Sequence, residues 1–530
     1  MSIDIHTLKD VAELDFAVHD NAEDYHHGRE LTTSDSGIVL PSKRRHSITF
    51  SYDLKDLLLI GALTESPVLL TGGTDLGKTS IAKLVMNALF GKHDEGWHRL
   101  DFDNDFGKDA YTNVNFDAFQ KEGMTTQDLY SAQPWLRLPG FIADELNRAH
   151  AKISTKALHI IREKEITLPD GSRVQIGHPL AEGGTYQFQI ATINEGSDYS
   201  GTFDLDRALR RRTTIEIPLD VFMPTPRDRK RILESGQEDI PMRNTQSRLE
   251  AVLQANHDVH TIQLHPNAQL FISYLEAFDY CKNSLTGEKG SVAARQGSIE
   301  HICTKPRRNS ADLLADGAGC EYLRTFEDNL CPYVRGITPG ISKNLVTVAK
   351  GFAALRAVKF AEALSGFAQG KRHRDLSYTI HTPDQFERSL QEYAGTSETG
   401  EALAHRALET YTATLEVELE DVQSAFGFVA YSKIGIALQW IGKHYQGNRF
   451  AAVNYFLQSA KTKFEEGLAA PALTTLAATL NGGATTEGIE AIKRHCETNN
   501  PWLWRVLDPH LNGANQSTDR EQFYRLLDRP

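Results

Sequence analysis

No apolar run in this sequence approaches the ~18 residues that a helical membrane span needs; "LLLIGAL" (57–63) is about the longest. The N-terminus, "MSIDIHTLKDVAELDF", carries acids early and lacks the apolar stretch and small-residue cleavage site of a secretory signal, so a cytoplasmic protein is expected. Cysteine is scarce: Cys281, Cys303, Cys320, Cys331 and Cys496 lie far apart and form no C-x-x-C pair. "HIC" (301–303) with Cys320 and Cys331 comes nearest to a zinc set, but the close ligand pairs of structural zinc are missing. Reduced thiols are the simpler reading. There is no H-E-x-x-H motif, internal repeat or low-complexity tract. Excess positive charge is lacking too. Against 57 Lys and Arg stand 70 Asp and Glu, and the net charge of −13 argues against a general polyanion binder.

What remains is ordinary globular material, 40% hydrophobic and 24% charged over 530 residues. That length admits roughly three to four domains. One stretch is specific. In "LLTGGTDLGKTSIAKL" (69–84), Gly72, Gly77, Lys78 and Thr79 fit the spacing G-x-x-x-x-G-K-[ST]. "SPVLLTGG" (66–73) reads as a short buried strand running into a glycine turn. After Lys78 comes an amphipathic helix with Ile81, Leu84, Val85, Ala88 and Leu89 on one face. Strand, glycine loop and helix N-terminus together cradle phosphate through inward backbone amides. The candidate nucleotide contacts are therefore Gly72, Gly73, Thr74, Asp75, Leu76, Gly77, Lys78, Thr79 and Ser80. Lys78 would reach the β- and γ-phosphates and the Thr79 hydroxyl a Mg²⁺ ion. Asp75 is an acid inside an anion-binding loop, which is tolerable because amides do the cradling and its side chain can turn outward.

The loop alone resembles those of P-loop ligases and of polynucleotide 5′-hydroxyl kinases as well. Later segments separate these. "LPGFIADELNRAH" (138–150) is a strand ending in Asp144-Glu145: one acid for the metal's water shell, one to polarise an attacking water. A kinase or ligase has no use for that second acid. "YQFQIATINEG" (186–196) is another strand with Asn194 at its end, and "FDLDRALRRRTTIEIPLD" (203–220) supplies an arginine cluster before a further strand. By itself Arg210-Arg211-Arg212 reads as a solvated helix end. The order of motifs gives it another meaning, as a finger offered to a neighbour's γ-phosphate.

With these residues in place, the sequence resembles AAA+ ATPases of the MoxR-type branch, which is related to the McrB-like proteins. "FIADELNRA" is similar to the branch's "LLADEINRA" box. "REKEITLPDGSRVQIG" (162–177) resembles its hairpin, with Ile166 and Leu168, an Asp170-Gly171 turn, then Val174 and Ile176. The likeness runs through "FMPTPRDRKRIL" (222–233), "IQLHPNAQLFISYLEAF" (262–278), "VRGITPGISKNLVTVAKGFAALRA" (334–357) and "VELEDVQSAF" (417–426), covering about residues 46–435.

The resemblance implies an α/β fold: a P-loop AAA+ core with a parallel sheet between helices, then an enlarged helical lid and a C-terminal helical module. The expected division is an N-terminal extension (1–45), a nucleotide-binding core (46–220), a lid (221–435) with insertions at 282–330 and 368–412, and the module (436–530). It implies ATP and Mg²⁺ as cofactors, with Thr79 and Asp144 on the metal side, Glu145 as base, Asn194 as sensor 1, and Arg212 as finger with Arg211 in reserve. It also implies a homo-oligomeric ring, a hexamer, acting on a protein client, with any von Willebrand A-domain partner being a separate protein.

Three departures stand out. Asp75 and Leu76 replace small loop residues, Thr213 stands where the branch has Phe, and Gly340 in "TPG" replaces its sensor-2 arginine, for which Lys343 and Arg335 are candidate substitutes. Slow or regulated turnover is the expectation. Residues 6–18 are amphipathic and read as a loosely packed extension or a subunit contact. The stretch 99–135 reads as a long connection carrying Phe119, Tyr130 and Trp135, with Trp135 in the core. "RQGSIEHICTKPRRN" and "QGKRHRDLSYTIHTPDQFERSL" are basic insertions with few aromatics, better read as solvated loops than as nucleic-acid sites. Trp440, Trp502 and Trp504 read as core of the C-terminal module. Competing with client remodelling are a nucleic-acid motor, an assembly ring with little turnover and, last, a polynucleotide kinase.

Overall fold

The protein's computed structural model describes residues 4–12, 52–74, 76–102, 110–115, 125, 129–148, 159–195, 210–222, 246–277, 334–335, 337–370, 383–436, 445, 448–467, 490 and 494. Asp75, Phe119, the five cysteines, Trp440, Trp502, Trp504 and the basic stretches 295–309 and 371–382 lie outside them.

Five short runs, β1 (Val68–Thr71), β2 (Trp97–Asp101), β3 (Gly140–Asp144), β4 (Phe188–Thr192) and β5 (Ile215–Pro218), form one sheet in the order β5-β1-β4-β3-β2. Every neighbouring pair is parallel. All residues of β1, β3, β4 and β5 are buried, as strands covered by helices on both faces must be. In β2, at the edge, only Trp97 is buried, and the rest of W-H-R-L-D is polar or half-covered. That pattern is why the stretch from residue 99 reads as connection, whereas its first three residues complete a sheet strand. The parallel order brings the ends of β1, β3 and β4 to one edge of the sheet, the edge at which open α/β sheets bind ligands.

The chain gathers into two units, Met1–Gln263 with Val346–Val429, and Leu264–Leu345 with Ala430–Pro530. Helices in the first unit are α1 (Ile5–Ala12), α2 (Leu54–Leu63), α3 (Lys78–Phe90) and α4 (Leu249–Thr261), later joined by α7 (Pro383–Ala394), α8 (Gly400–Ala413) and α9 (Leu419–Ala430). The second holds α5 (Pro266–Ala277), which packs on α10 (Arg449–Gly467), and an antiparallel bridge of Val334–Arg335 with Gly435–Ile436. The division falls inside α6 (Pro339–Ala368), after Leu345.

Helix α2 contains the apolar run at 57–63 and is buried on all sides but one: apart from Lys55 every residue is covered. Asp53 and Asp56 form a reciprocal capping box at its start, each carboxylate accepting the other's backbone N–H at 2.9 Å. The later part of α6 crosses α2 at Gly351, where a Cβ would lie 2.7 Å from Ile60 Cγ2 and 2.9 Å from Thr64 Cγ2. Only glycine allows that approach. Helix α1 is not loose: Ile5, Leu8 and Val11 are buried and the helix packs on α4.

Glu165–Thr167 and Arg173–Gln175 pair antiparallel with Ile166 opposite Val174, and Gly171 turns the hairpin at φ +86°. Trp135 is buried, stacks 5.1 Å from Phe141 and donates its Nε1–H to the Ala110 carbonyl at 2.9 Å. Tyr130 sits half-buried in a short strand pair with Thr112–Val114. Among the described residues no helix is long and apolar enough to cross a membrane.

Candidate functional site

The loop after β1 turns on two left-handed glycines, Gly72 at φ +140° and Gly77 at φ +77°, and Gly77 is the N-cap of α3. Between them Thr74 is exposed, while Gly73 and Leu76 are half-covered; Ser80 is exposed in the first turn of α3. Lys78 is buried at 7% exposure, and its ammonium donates to the carbonyl oxygens of Gly72, at 3.0 Å, and Gly73. Those two contacts aim the ammonium back along the glycine loop. At the foot of the loop, Thr71 Oγ1 is buried without a hydrogen-bond partner among the described residues.

Asp144 closes β3 with 1% exposure. Its two oxygens each lie 3.0 Å from the Thr79 hydroxyl, across 65 residues of sequence. Thr192 at the tip of β4 donates to Oδ1 as well, and Arg99 on β2 places Nη2 2.9 Å from Oδ2. Three chain segments besides β3 therefore converge on one carboxylate.

The next residue, Glu145, has φ +52°, a left-handed conformation that costs a non-glycine roughly 1–2 kcal/mol. Its N–H is held by Thr192 Oγ1 at 3.0 Å. Its carboxylate receives Asn194 Nδ2 at 3.4 Å on Oε1 and Arg148 Nη1 at 2.9 Å on Oε2. Asn194 is itself fixed: Asn147 Nδ2 donates to its carbonyl at 2.7 Å, and its N–H reaches Asn147 Oδ1 at 3.3 Å. Adjacent to it, Glu195 N–H donates to the Gly72 carbonyl at 3.2 Å. The strained turn thus presents Glu145 beside Asn194, close to the glycine loop.

The arginine cluster splits. Arg210 turns back to Glu195 and lies 3.9 Å from the buried Glu216. Arg211 is exposed and Arg212 half-buried, and neither has a charged partner among the described residues. Thr213, unusual by comparison with the resembled branch, is buried and bonds the Arg210 carbonyl at 2.8 Å, closing the turn. Arg335 and Lys343 belong to the second unit.

Sequence reading missed Arg99, Asn147 and Thr192. Asn147 stood inside the quoted "FIADELNRA" box, but nothing in its spacing pointed across to β4. Thr192 ends an apolar strand as a polar residue one step before its exit, a signal present in "FQIAT". Arg99 gave none, because only the pairing Asp101↔Asp144 brings β2 alongside β3.

Taken together, this donor set suits a magnesium triphosphate. Left-handed glycines and a helix N-terminus offer amides, Lys78 brings a buried ammonium to the same loop, and a hydroxyl and a carboxylate stand 3.0 Å apart as hard oxygen ligands. A second carboxylate, Glu145, lies one residue away with a polar amide on it.

No protein-family profile and no characterised protein sequence matches this chain. Among solved structures, it is similar to a candidate ATPase from Cytophaga hutchinsonii, at 14% identity and a TM-score of 0.44, covering 75% of this chain and 87% of that one. It is also similar to a full-length MCM homologue from Methanopyrus kandleri, at 11% identity and a TM-score of 0.31, covering 87% of this chain and 63% of the other. Likeness at this level assigns no activity.

Proposed function

We propose that this chain is an AAA+ ATPase of the MoxR-type branch that works as a homo-oligomeric ring and couples ATP hydrolysis to remodelling or maturation of a protein client. The observation that carries the reading is the convergence of Lys78, Thr79, Asp144, Glu145 and Asn194 at one sheet edge, with the Thr79 hydroxyl 3.0 Å from Asp144 and Asn194 3.4 Å from Glu145. In this proposal residues 46–220 form the nucleotide core, 221–435 the lid and 436–530 a helical module, in a cytoplasmic protein.

Mg²⁺, when bound, neutralises charge on the phosphate oxygens. Thr79 and Asp144 would hold its shell, and the Lys78 ammonium would meet phosphate oxygens. The Glu145 carboxylate takes the proton from an attacking water, oriented by Asn194. Arg210 is committed within its own chain, so Arg212, with Arg211 in reserve, is the guanidinium offered to a neighbouring subunit's γ-phosphate. Acidic charge overall favours a protein client over nucleic acid.

A second reading, an assembly ring with slow turnover, draws support from one feature. Both acids are already gripped by arginines of their own chain, Asp144 by Arg99 and Glu145 by Arg148, each at 2.9 Å.

Steady-state ATP hydrolysis and nucleotide binding separate the roles. Glu145→Gln should abolish turnover while nucleotide still binds and drives assembly, and Lys78→Ala should lose both. Hydrolysis at the normal rate by Glu145→Gln would remove the base from the proposal.

A further inference from the structure

Between α3 and β2, the turn "KHDEGWH" (92–98) gathers two imidazoles about one carboxylate. Asp94 sits at φ +61°, and its N–H bonds the Trp97 carbonyl at 2.7 Å, while Gly96 N–H returns to Lys92 at 2.9 Å. This backbone directs His93 Nδ1 to Asp94 Oδ2 at 2.9 Å and His98 Nδ1 to Asp94 Oδ1 at 2.6 Å. One ligand atom from each of the three lies within 4.8 Å of the others.

The rings are held before any ligand arrives. His98 stacks on Trp135 at 5.1 Å with 16° between planes, and His93 meets Trp97 edge-on at 4.6 Å. Trp97 is in turn anchored through Nε1 to Asn87 and the Gly91 carbonyl. The side chains remain open to solvent on one side, His93 at 46% and Asp94 at 62% exposure.

We propose that His93, Asp94 and His98 form a binding site for a first-row divalent cation of the zinc, cobalt, nickel and copper class. Charge is the first reason. One carboxylate balances one imidazolium, so two protonated rings on the same carboxylate leave a positive charge uncompensated. Two neutral imidazoles and a carboxylate, by contrast, suit a doubly charged ion. Ligand type is the second, since imidazole nitrogen selects these metals over Mg²⁺ and Ca²⁺. Preorganisation is the third: stacked rings on a fixed turn lose little freedom on binding. Solvent fills the remaining coordination positions. The site is independent of any reading of the glycine loop, and it ties the end of α3 to the strand that carries Arg99.

Trp97 and Trp135, two of the five tryptophans, touch the two rings, so metal binding is readable by fluorescence. Co²⁺ is titrated into the full chain, with Zn²⁺ added as competitor. The expected result is saturable quenching at one equivalent per chain, reversed by Zn²⁺. His93→Gln/His98→Gln should abolish it. Asp94→Asn, which tolerates the left-handed backbone, should weaken it about tenfold or more. Asp94→Gly is a second carboxylate-free variant whose backbone prefers that φ. Metal-free melting temperatures equal to wild type establish that the variants fold. Quenching of equal affinity in the folded variants, or no saturation of the wild type below about 1 mM, would overturn the site.

Discussion

Arg99 Nη2 lies 2.9 Å from Asp144 Oδ2 and 2.6 Å from Asp101 Oδ1, so one guanidinium joins the tips of two neighbouring strands at the carboxylate proposed for the metal side. Its Nε is buried without a hydrogen-bond partner among the described residues. A cation at Asp144 has to share that carboxylate with Arg99 or displace it. Arg99→Ala should therefore lower the Mg²⁺ concentration needed for half-maximal nucleotide binding. The side chain is 29% exposed, so the effect is that of a partly screened pair, about two- to fivefold. Binding of a fluorescent ATP analogue at varied Mg²⁺ measures it. An unchanged midpoint would mean that Arg99 does not compete.

Arg356, 1% exposed, is the centre of a buried polar network in the first unit. It donates from Nε and Nη2 to Asp421 at 3.1 and 2.9 Å, from Nη1 to the Tyr411 hydroxyl at 2.5 Å and Glu418 at 3.2 Å, and from Nη2 to the Glu416 carbonyl at 2.8 Å. The carboxylates hold Arg356 charged although burial opposes it. Arg356→Ala strands Asp421 and should cost about 3–5 kcal/mol. Arg356→Leu with Asp421→Leu should recover most of that loss. Urea unfolding followed by circular dichroism compares them, and equal losses in the single and double variants would contradict the account.

At the start of α2, burial pushes the Asp53 carboxyl up to about 6, helped by the neighbouring Asp56 and opposed by Lys359. A carboxyl whose folded value is raised binds its proton more tightly in the native state. Its favourable contribution is complete below about pH 4, the ordinary range, and is lost as pH rises through about 6. Asp53→Asn keeps an acceptor for the Asp56 N–H and carries no charge at any pH. Its melting temperature relative to wild type should therefore climb from pH 4 to about 6.5 and then level. A constant difference across that range would show that Asp53 titrates normally.

The sheet and its glycine loop were legible because each rests on a local pattern: a four-residue apolar run, two glycines, then a 3.6-residue periodicity. The hairpin at 165–175 was legible for the same reason, through Asp170-Gly171 between alternating apolar residues. Strand β2 was not, because an edge strand with one buried residue has no hydrophobic signature. Nor was Arg99, since its partner lies 45 positions away in sequence and is reached only through strand pairing. The metal-ligand turn at 93–98 hid behind a spacing that matches no zinc motif, and it takes form only when Asp94 turns left-handed.

Arg211 and Arg212 have no acid to hold them among the described residues, in contrast with Arg210, and the proposal gives them to a neighbouring subunit's nucleotide. ATP turnover per chain, measured across a dilution series, tests that arrangement most directly. The account predicts a per-chain rate that falls steeply as the oligomer dissociates. It further predicts that adding Arg212→Ala chains to Glu145→Gln chains changes the rate away from the average of the two. A dilute, monomeric chain hydrolysing ATP as fast as the assembled one would contradict it.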